Sequence, residues 1–241
     1  MTEQAIFQGR AVTPEQFLAM VGPEYRQLRI YPTCPSCGSD LAPYGVHSTK
    51  VQSRFDHPDK TGCPLSSTPD ARYAFLRPNG WDWAARERLF ARLCETENLK
   101  ETYSVCRRII PGLNSEEFYR ACQRAYQYGV FGYRGIELWV LPYLLVTLED
   151  FPKNDKRSIP YRFVLHKPDH TAIDVLWLEP QNCVLRAYFA DTGNPMKRRE
   201  IRIPDAEAEK GREDTDWMKD PLIRLLRRCC EEHGHASVSA G

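Results

Sequence analysis

The 241-residue sequence predicts an α+β fold with a small N-terminal module, a helical middle and a small antiparallel sheet near the C-terminus. Three observations support this prediction. Cysteines and histidines cluster between residues 34 and 63, apolar residues recur at helical spacing between residues 81 and 150, and short runs of β-branched and aromatic residues lie between residues 160 and 203. Because 42% of the residues are hydrophobic, the chain can bury a core of ordinary size.

Changes in composition along the chain predict four segments. The stretch "PLSSTPDARYAFLRPNG" contains three prolines, two serines and one glycine, which is typical of a connector. The end of the chain is acidic in "DAEAEKGREDTDW" and then amphipathic in "DPLIRLLRRCCEEHG". We therefore expect an N-terminal module at 1–64, a connector at 65–80, a mixed α+β domain at 81–203 with helices over 81–150 and strands over 160–203, and a charged tail with a short amphipathic helix at 204–241.

The charge balance excludes a strong overall electrostatic attraction to polyanions. Lysine and arginine number 33 and aspartate and glutamate number 32, so the formal net charge is +1. A chain of this kind has no general field that would draw it to nucleic acid or to an anionic membrane. Any affinity for nucleic acid must therefore come from a local basic patch.

Neither the N-terminal segment nor the most apolar stretch of the sequence predicts a membrane location. The N-terminus "MTEQAIFQGRAVTPEQF" has no cationic leader followed by an apolar run, so we expect a cytoplasmic protein. The longest apolar stretch, "IELWVLPYLLVTL", is about 13 residues long, whereas a membrane-spanning helix needs about 20. We interpret this stretch as buried core.

The N-terminal module begins with a predicted helix and a predicted strand. Thr13 followed by Pro14 and Glu15 is a typical helix start, and the helix should end before Gly22. The segment "YRQLRIYPT" alternates apolar and polar residues, which predicts a strand that leads directly into Cys34.

The cluster at 34–63 predicts a structural zinc site in a zinc-ribbon-like module. Cys34 and Cys37, two residues apart and followed by a glycine, form a knuckle that directs both sulfurs at one metal ion. The other two ligands come from His47, His57 and Cys63. We select His57 and Cys63, because His57 ends a strand-like run and a turn with proline and glycine returns the chain to Cys63. Four protein ligands leave no open position for a catalytic water.

These residues resemble the N-terminal zinc module of competence-protein CoiA-like bacterial proteins. The resemblance covers roughly residues 30–65 and rests on Cys34, Cys37, Phe55, His57 and Cys63. It implies a following segment suggestive of a nuclease, in which an acidic residue precedes Glu-x-Lys or Asp-x-Lys on a neighbouring strand. The run "CVLRAYFAD" has neither pattern.

The middle of the chain predicts a compact helical unit. Apolar residues follow a helical pattern from Trp81 until Pro111, and Asn114 with Glu117 three residues later is typical of a second helix start. Gly129 should end that helix. The residues predicted to be core rather than site are Phe118, Cys122, Tyr126, Trp139 and Leu145.

Beyond Pro160 the runs "YRFVLHK", "AIDVLWLE", "CVLRAYFAD" and "REIRIP" predict three or four antiparallel strands.

The segment "HKPDHTAID" places His166, His170 and Asp174 four residues apart. On a helix these three side chains would share one face and form a metal or acid–base set. Pro168 and the flanking strand patterns favour instead a hairpin turn with two exposed histidines.

Two further patterns suggest contacts with nucleic acid. The segment "YQYGVFGYRG" interleaves aromatic residues with Arg134, as in surfaces that stack on unpaired bases, although these aromatics can equally form core. The best candidates for phosphate contacts are Lys197, Arg198, Arg199 and Arg202, with a second set at Arg224, Arg227 and Arg228. The alternative for both sets is a solvated face paired with the acidic stretch 205–216.

Six cysteines lie outside the cluster, in apolar segments. We expect them to be free thiols that behave as small hydrophobic residues, with a redox-active pair at Cys229 and Cys230 as the alternative.

The sequence thus favours a non-enzymatic, zinc-stabilised accessory protein of bacterial or phage type that acts by binding, with nucleic acid as the expected partner. The first alternative is a protein–protein adaptor or inhibitor without nucleic-acid contact. The second is a diverged nuclease that uses Asp174 and Glu179, although strand alternation would place these carboxylates on opposite faces. The sequence contains no Gly-x-Ser-x-Gly, His-Glu-x-x-His or P-loop motif.

Overall fold

The computed structural model describes residues 2–57, 63–67, 69–70, 72–205 and 214–234. These residues form seven α-helices and small antiparallel sheets, so the predicted α+β class is confirmed. The chain divides into two compact units. The first unit comprises Met1–Arg77 and Gln127–Gly129, and the second comprises Pro78–Tyr126 and Val130–Gly241.

The first unit is built from short elements. In order along the chain they are strands β1 (Ala5–Phe7) and β2 (Arg10–Val12), helix α1 (Pro14–Val21), a 3-10 turn (Pro23–Arg26), and strands β3 (Ala42–Tyr44) and β4 (Arg54–Asp56). The strands form two antiparallel hairpins, β1–β2 and β3–β4. The predicted start of α1 is confirmed, because Thr13 and Gln16 exchange side-chain and backbone hydrogen bonds in a capping box.

The strand predicted at residues 25–33 is wrong. Pro23–Arg26 is a 3-10 turn, and in the segment that follows only Thr33 makes isolated strand bridges. The alternation of apolar and polar residues in this segment does not reflect a strand with one buried face. Tyr25 packs its ring edge-on against Phe17 with centroids 5.6 Å apart, whereas Leu28 remains 58% exposed.

A small apolar core supports the first unit. Phe17, Phe55 and Leu41 are fully buried, and the rings of Phe17 and Phe55 lie 6.3 Å apart. The segment predicted as a connector also contributes buried side chains, namely Leu65, Tyr73 and Leu76. Residues as far as Arg77 therefore belong to the first unit.

The second unit begins with the predicted helices, which are confirmed. They are α2 (Trp83–Cys94), α3 (Thr96–Ile109), α4 (Ser115–Gln127) and α5 (Leu141–Leu145). At the start of α4 the Asn114 side chain accepts from the Glu117 N–H at 2.8 Å, and the Glu117 carboxylate accepts from the Asn114 N–H at 3.1 Å. Gly129 follows α4 in the left-handed region with φ 66°, as a helix C-cap requires.

Most of the predicted core residues are buried. Phe118, Cys122 and Leu145 are each 1% exposed, whereas Tyr126 and Trp139 are half-buried at the edge of the core. Every residue of α5 is buried, which confirms the core interpretation of that apolar stretch. Among the described residues no helix combines the length and the apolar character needed to cross a membrane.

A four-stranded antiparallel sheet follows the helices. Its strands are β5 (Asp150–Phe151), β6 (Tyr161–His166), β7 (Val184–Phe189) and β8 (Pro195–Arg202), paired in that order. The strand predicted from "AIDVLWLE" is wrong, because Val175–Leu178 is a short helix, α6. Val175, Leu176 and Trp177 are buried in succession, and a short continuous apolar run fits a buried helix as well as a strand.

The predicted amphipathic helix near the C-terminus is confirmed as α7 (Asp220–Gly234), which buries Leu226 and Cys229. A disulfide joins Cys230 of this helix to Cys94 of α2, with Cα atoms 5.8 Å apart. The expectation of free thiols is therefore wrong for these two cysteines. Cys106, Cys122, Cys183 and Cys229 are free and buried, as predicted.

Candidate metal centre

The knuckle at Cys34–Cys37 forms as its spacing predicts. The Gly38 N–H donates to the Cys34 carbonyl at 2.9 Å and closes the turn. Gly38 has φ 73°, a conformation that favours glycine, and a Cβ there would meet no atom within 4 Å. The requirement for glycine is therefore conformational. The Ser36 hydroxyl donates to the Tyr128 carbonyl at 3.0 Å and ties the turn to the segment Gln127–Gly129 of the same unit.

The β3–β4 hairpin returns the chain to the knuckle. β3 begins shortly after Cys37, and β4 ends one residue before His57. The pairing of Ala42 with Asp56 brings the start of β3 and the end of β4 together. Phe55, fully buried, anchors β4. The register of β3 with β4 therefore places His57 beside the cysteines. The turn predicted between His57 and Cys63 lies at 58–62, outside the described residues.

Cys34, Cys37, His57 and Cys63 lie close together and can hold a metal ion, since their ligand atoms are all within 4.8 Å of one another. The Sγ atoms of Cys34 and Cys63 are 3.8 Å apart, and the Cys37 Sγ lies 3.4 Å from the His57 Nε2. A tetrahedral zinc ion with usual bond lengths separates two sulfurs by about 3.8 Å and a sulfur from a nitrogen by about 3.6 Å. The residues present therefore fit the geometry of such an ion. None of these three cysteines forms a disulfide.

Backbone donors support two of the sulfurs. The Ser36 N–H donates to the Cys34 Sγ and the Leu65 N–H donates to the Cys63 Sγ, each at 3.4 Å. In both cases the donor lies two residues after the cysteine. Hydrogen bonds to the charged form favour a thiolate, which is the form that binds metal. These donors are not predictable from the residue pattern, because every residue except proline carries the same backbone N–H.

Hydrogen bonds within the cluster shift the pKa values of its side chains. Hydrogen bonds with Cys34 and Cys63 hold the pKa of the Cys37 thiol far below its usual value. Hydrogen bonds with Cys37 and Cys63, together with burial, raise the pKa of Cys34. Burial disfavours the charged ring of His57, but hydrogen bonds to Cys37 and Cys63 outweigh it and raise the pKa of His57 to about 9. A divalent cation at this place would replace the shared protons.

His47 lies outside this cluster. Its side chain is exposed on the loop between β3 and β4, and the metal-competent group within the described residues contains His57 instead. The choice between the two histidines therefore follows the position of β4.

The basic residues predicted to contact nucleic acid do not share one face of the sheet. Arg199 lies against the buried face, with its guanidinium carbon 3.9 Å from the centre of the Tyr161 ring. Arg202 is exposed and pairs in register with Val184, beside a Glu200 that forms a salt bridge with Arg186. Lys197 is exposed, and the side chain of Arg198 lies outside the described residues.

The second basic set, on α7, has partners outside the acidic stretch. Arg228 forms a salt bridge with Glu116 at 3.3 Å, and Arg227 donates to the Thr96 hydroxyl at 2.5 Å. Arg224 is exposed. Most of the acidic stretch, residues 206–213, lies outside the described residues.

The remaining candidate residues are dispersed. His170 is exposed in a turn as predicted, but His166 is half-buried on β6. Asp174 is buried and accepts the Asn79 N–H at 2.9 Å, while Glu179 is exposed at the other end of α6. The argument from strand alternation does not apply to this pair, since α6 is a helix.

The aromatic residues of "YQYGVFGYRG" belong mainly to the core. Phe131 and Tyr133 are fully buried, and Phe131 packs against Phe90 with centroids 5.1 Å apart. These two rings are therefore not available for stacking on bases.

The outward face of the C-terminal sheet carries an aromatic pair that the sequence analysis missed. His166 of β6 and Tyr188 of β7 stack with their planes 10° apart and their centroids 5.9 Å apart, and the His166 Nε2 lies 2.8 Å from the Tyr188 hydroxyl. Both side chains are half-buried, and Arg186 lies between them in register. The alternating strand patterns indicate one face for each strand, but only the register brings these two rings together.

Together these features define an α+β protein with a candidate Cys3His metal centre. Comparison of the chain with protein-family models, with curated proteins and with solved structures finds no match.

Proposed function

We propose that this is a non-enzymatic binding protein whose first unit is held by one structural zinc ion and whose second unit binds single-stranded nucleic acid. The nucleic acid would lie across the outward face of strands β6–β8. The observation that carries this proposal is the half-exposed, stacked pair of His166 and Tyr188 beside arginines on that face.

The choice of zinc rests on the ligand set and its spacing. Three sulfurs and one imidazole nitrogen at tetrahedral separations suit zinc, which binds such closed sites without redox chemistry. Because all four positions come from the protein, the ion would have no place for substrate or a reactive water. The site therefore supports a role in folding rather than in catalysis.

The choice of single-stranded nucleic acid rests on the combination of rings and cations. Unpaired bases stack on aromatic side chains of open sheets, and arginines beside the rings contact the phosphates. Here Arg162 pairs in register with Tyr188, and Arg186 pairs with Val164. Arg186 forms a salt bridge with Glu200, and Asp150 lies opposite Arg162 in register. Arg202, which pairs with Val184, therefore carries the least compensated positive charge of these three arginines.

The proposal is tested by titrating labelled single-stranded DNA and RNA with the full chain at several salt concentrations. Tyr188→Ala should weaken binding by about 5- to 100-fold, which corresponds to one lost base stack. Tyr188→Phe keeps the ring and should bind like the wild type. Tyr44→Ala, which removes a 49% exposed tyrosine in the first unit, is the matched control and should leave affinity unchanged.

Charge removal supplies a second readout. Arg202→Ala should flatten the slope of log affinity against log salt by about 0.7 to 0.9, the loss expected for one phosphate contact. If the wild type shows no salt-dependent affinity for either nucleic acid, the nucleic-acid proposal fails. The protein–protein adaptor or inhibitor then becomes the better hypothesis.

A further inference from the structure

A cavity of about 120 Å³ opens in the second unit, between the segment that precedes β6 and the buried-face side of β8. The polar residues around it are Lys156, Arg157, Ser158, Tyr161 and Arg199. This cavity lies on the opposite side of the sheet from the His166–Tyr188 pair, because Tyr161 belongs to the buried face of β6. It is therefore a separate feature from the proposed nucleic-acid surface.

The lining of the cavity is strongly cationic. Three of its residues carry positive charge, and no aspartate or glutamate lines it within the described residues. Arg157 is buried in a salt bridge with Glu117, which offsets its charge. Lys156 and Arg199 have no acidic partner in the described part of the chain, so two positive charges face the cavity region without compensation.

The Arg199 side chain and the backbone at Lys156 and Arg157 are held in place by hydrogen bonds within the protein. Arg199 lies over the Tyr161 ring and donates to its hydroxyl at 2.6 Å. The N–H of Lys156 and that of Arg157 both donate to the Asn154 side chain at 2.9 Å. Asn154 in turn donates to the Gly112 carbonyl at 3.0 Å. Such fixed positions reduce the conformational entropy that the protein loses when a ligand binds.

We infer that this cavity is a binding site for a phosphate group. Its volume of about 120 Å³ leaves room for a tetrahedral oxyanion. The arginine fork and the lysine ammonium are the usual phosphate ligands in proteins, and hydroxyl groups such as that of Ser158 complete such sites. The ligand is inorganic phosphate or the terminal phosphate of a monoester. This inference does not depend on the nucleic-acid proposal.

The site is tested by titrating the full chain with inorganic phosphate at constant ionic strength. Calorimetry and the chemical shift of the phosphorus NMR signal both monitor the titration. Lys156→Gln removes one uncompensated charge from an exposed position and should weaken binding at least tenfold. Lys153→Gln changes an exposed lysine of the same segment outside the cavity lining and should bind phosphate like the wild type. Arg199→Lys keeps the charge but loses the fork, and should also weaken binding.

Two further titrations identify the source of the phosphate. A phosphate monoester that competes with inorganic phosphate indicates a small phosphorylated ligand. A 5′-phosphorylated oligonucleotide that binds more tightly than its 5′-hydroxyl counterpart, with the difference lost in Lys156→Gln, indicates a nucleic-acid end. Absence of phosphate binding, or equal binding by the wild type and Lys156→Gln, would overturn the inference. Tyr188→Ala should leave phosphate binding intact, so failure of the nucleic-acid proposal is recognised separately.

Discussion

The two units of this protein differ in the length of their elements. In the described residues the first unit has strands of three residues and one helix of eight, whereas the second, besides shorter elements, contains four helices of 12–15 residues and three strands of six to eight. Short elements bury little apolar surface, and small units commonly need a metal or a disulfide in addition. The Cys3His cluster lies in the unit that has the smaller core.

The cysteines of the two units also lie in different environments. In the first unit, hydrogen bonds with Cys34 and Cys63 lower the pKa of Cys37, as suits a metal ligand. In the second unit, burial raises the pKa of Cys106, and burial raises the pKa of Cys183 to about 11. The cysteines of the first unit therefore form a hydrogen-bonded cluster that can hold a metal ion, whereas Cys106 and Cys183 are buried as small hydrophobic side chains.

Metal removal should have the largest effect, and it should unfold the first unit while the second unit stays folded. Apparent binding energies of structural zinc are about 10 kcal/mol or more, and this energy is local folding energy. The full chain should contain about one equivalent of zinc, the content of a single closed site. The double variant Cys34→Ser, Cys37→Ser should lose the metal, and hydrogen exchange should increase in Met1–Arg77 while α3 and α4 stay protected.

His47→Ala serves as the control for this experiment, because His47 is exposed and lies outside the cluster. Its metal content and exchange pattern should match the wild type. Full metal occupancy in the double cysteine variant would show that the four residues are not the ligands.

Reduction of the Cys94–Cys230 disulfide should have the next largest effect, and it should act on the second unit. The crosslink spans 136 residues, and loops of this size contribute about 5 kcal/mol in the chain-entropy description. Cys94→Ser should therefore unfold at a lower denaturant concentration than the oxidised wild type. Added reductant should lower the wild-type midpoint and leave that of the variant unchanged.

Thiol counting checks the crosslink directly. The oxidised, denatured and metal-free chain should react with an alkylating reagent at seven cysteines, the number that are free in the structure. Nine reactive thiols before reduction would show that the bond does not form.

Truncation of Phe118 should have an effect of similar or smaller size. Phe118 is 1% exposed and packs edge-on against Tyr103 with centroids 5.2 Å apart. Phe118→Ala should lower the free energy of unfolding by roughly 3–5 kcal/mol, as expected for a large buried side chain. Leu178→Ala, at a 70% exposed position of the same unit, should change it little. Wild-type stability in Phe118→Ala combined with lost binding would instead assign this residue to a functional surface.

The change in zinc affinity per pH unit should be the smallest of these effects. The pKa of His57 is raised to about 9 in the metal-free protein, so below that pH a bound metal must displace the His57 proton. Zinc affinity should fall by about tenfold per pH unit for this proton, and further for each protonated thiol. Competition with a chelator of known zinc affinity at pH 8, 7 and 6 measures this fall in affinity. Zinc affinity that increases toward acid pH would contradict the assignment of His57 as a ligand.

Several features of the protein were determined by the sequence alone. The cap at Thr13, the capping box at Asn114 and the knuckle at Cys34–Cys37 are confirmed in the structure. Each depends on residues within four positions of one another, where the chain geometry leaves few arrangements. His57 was predicted as a member of the cluster for a related reason, since it directly follows a short strand-like run.

Only the tertiary structure decided the features that join distant positions. The disulfide links residues 136 positions apart, and the His166–Tyr188 pair depends on the register of β6 with β7. The side of the sheet on which Arg199 lies is set by its packing on Tyr161. The run at Val175–Leu178 is a helix in which Val175, Leu176 and Trp177 are buried in succession, and a local apolar pattern does not distinguish such a helix from a strand. Contacts between distant residues depend on how the elements pack, and that packing is a property of the whole chain.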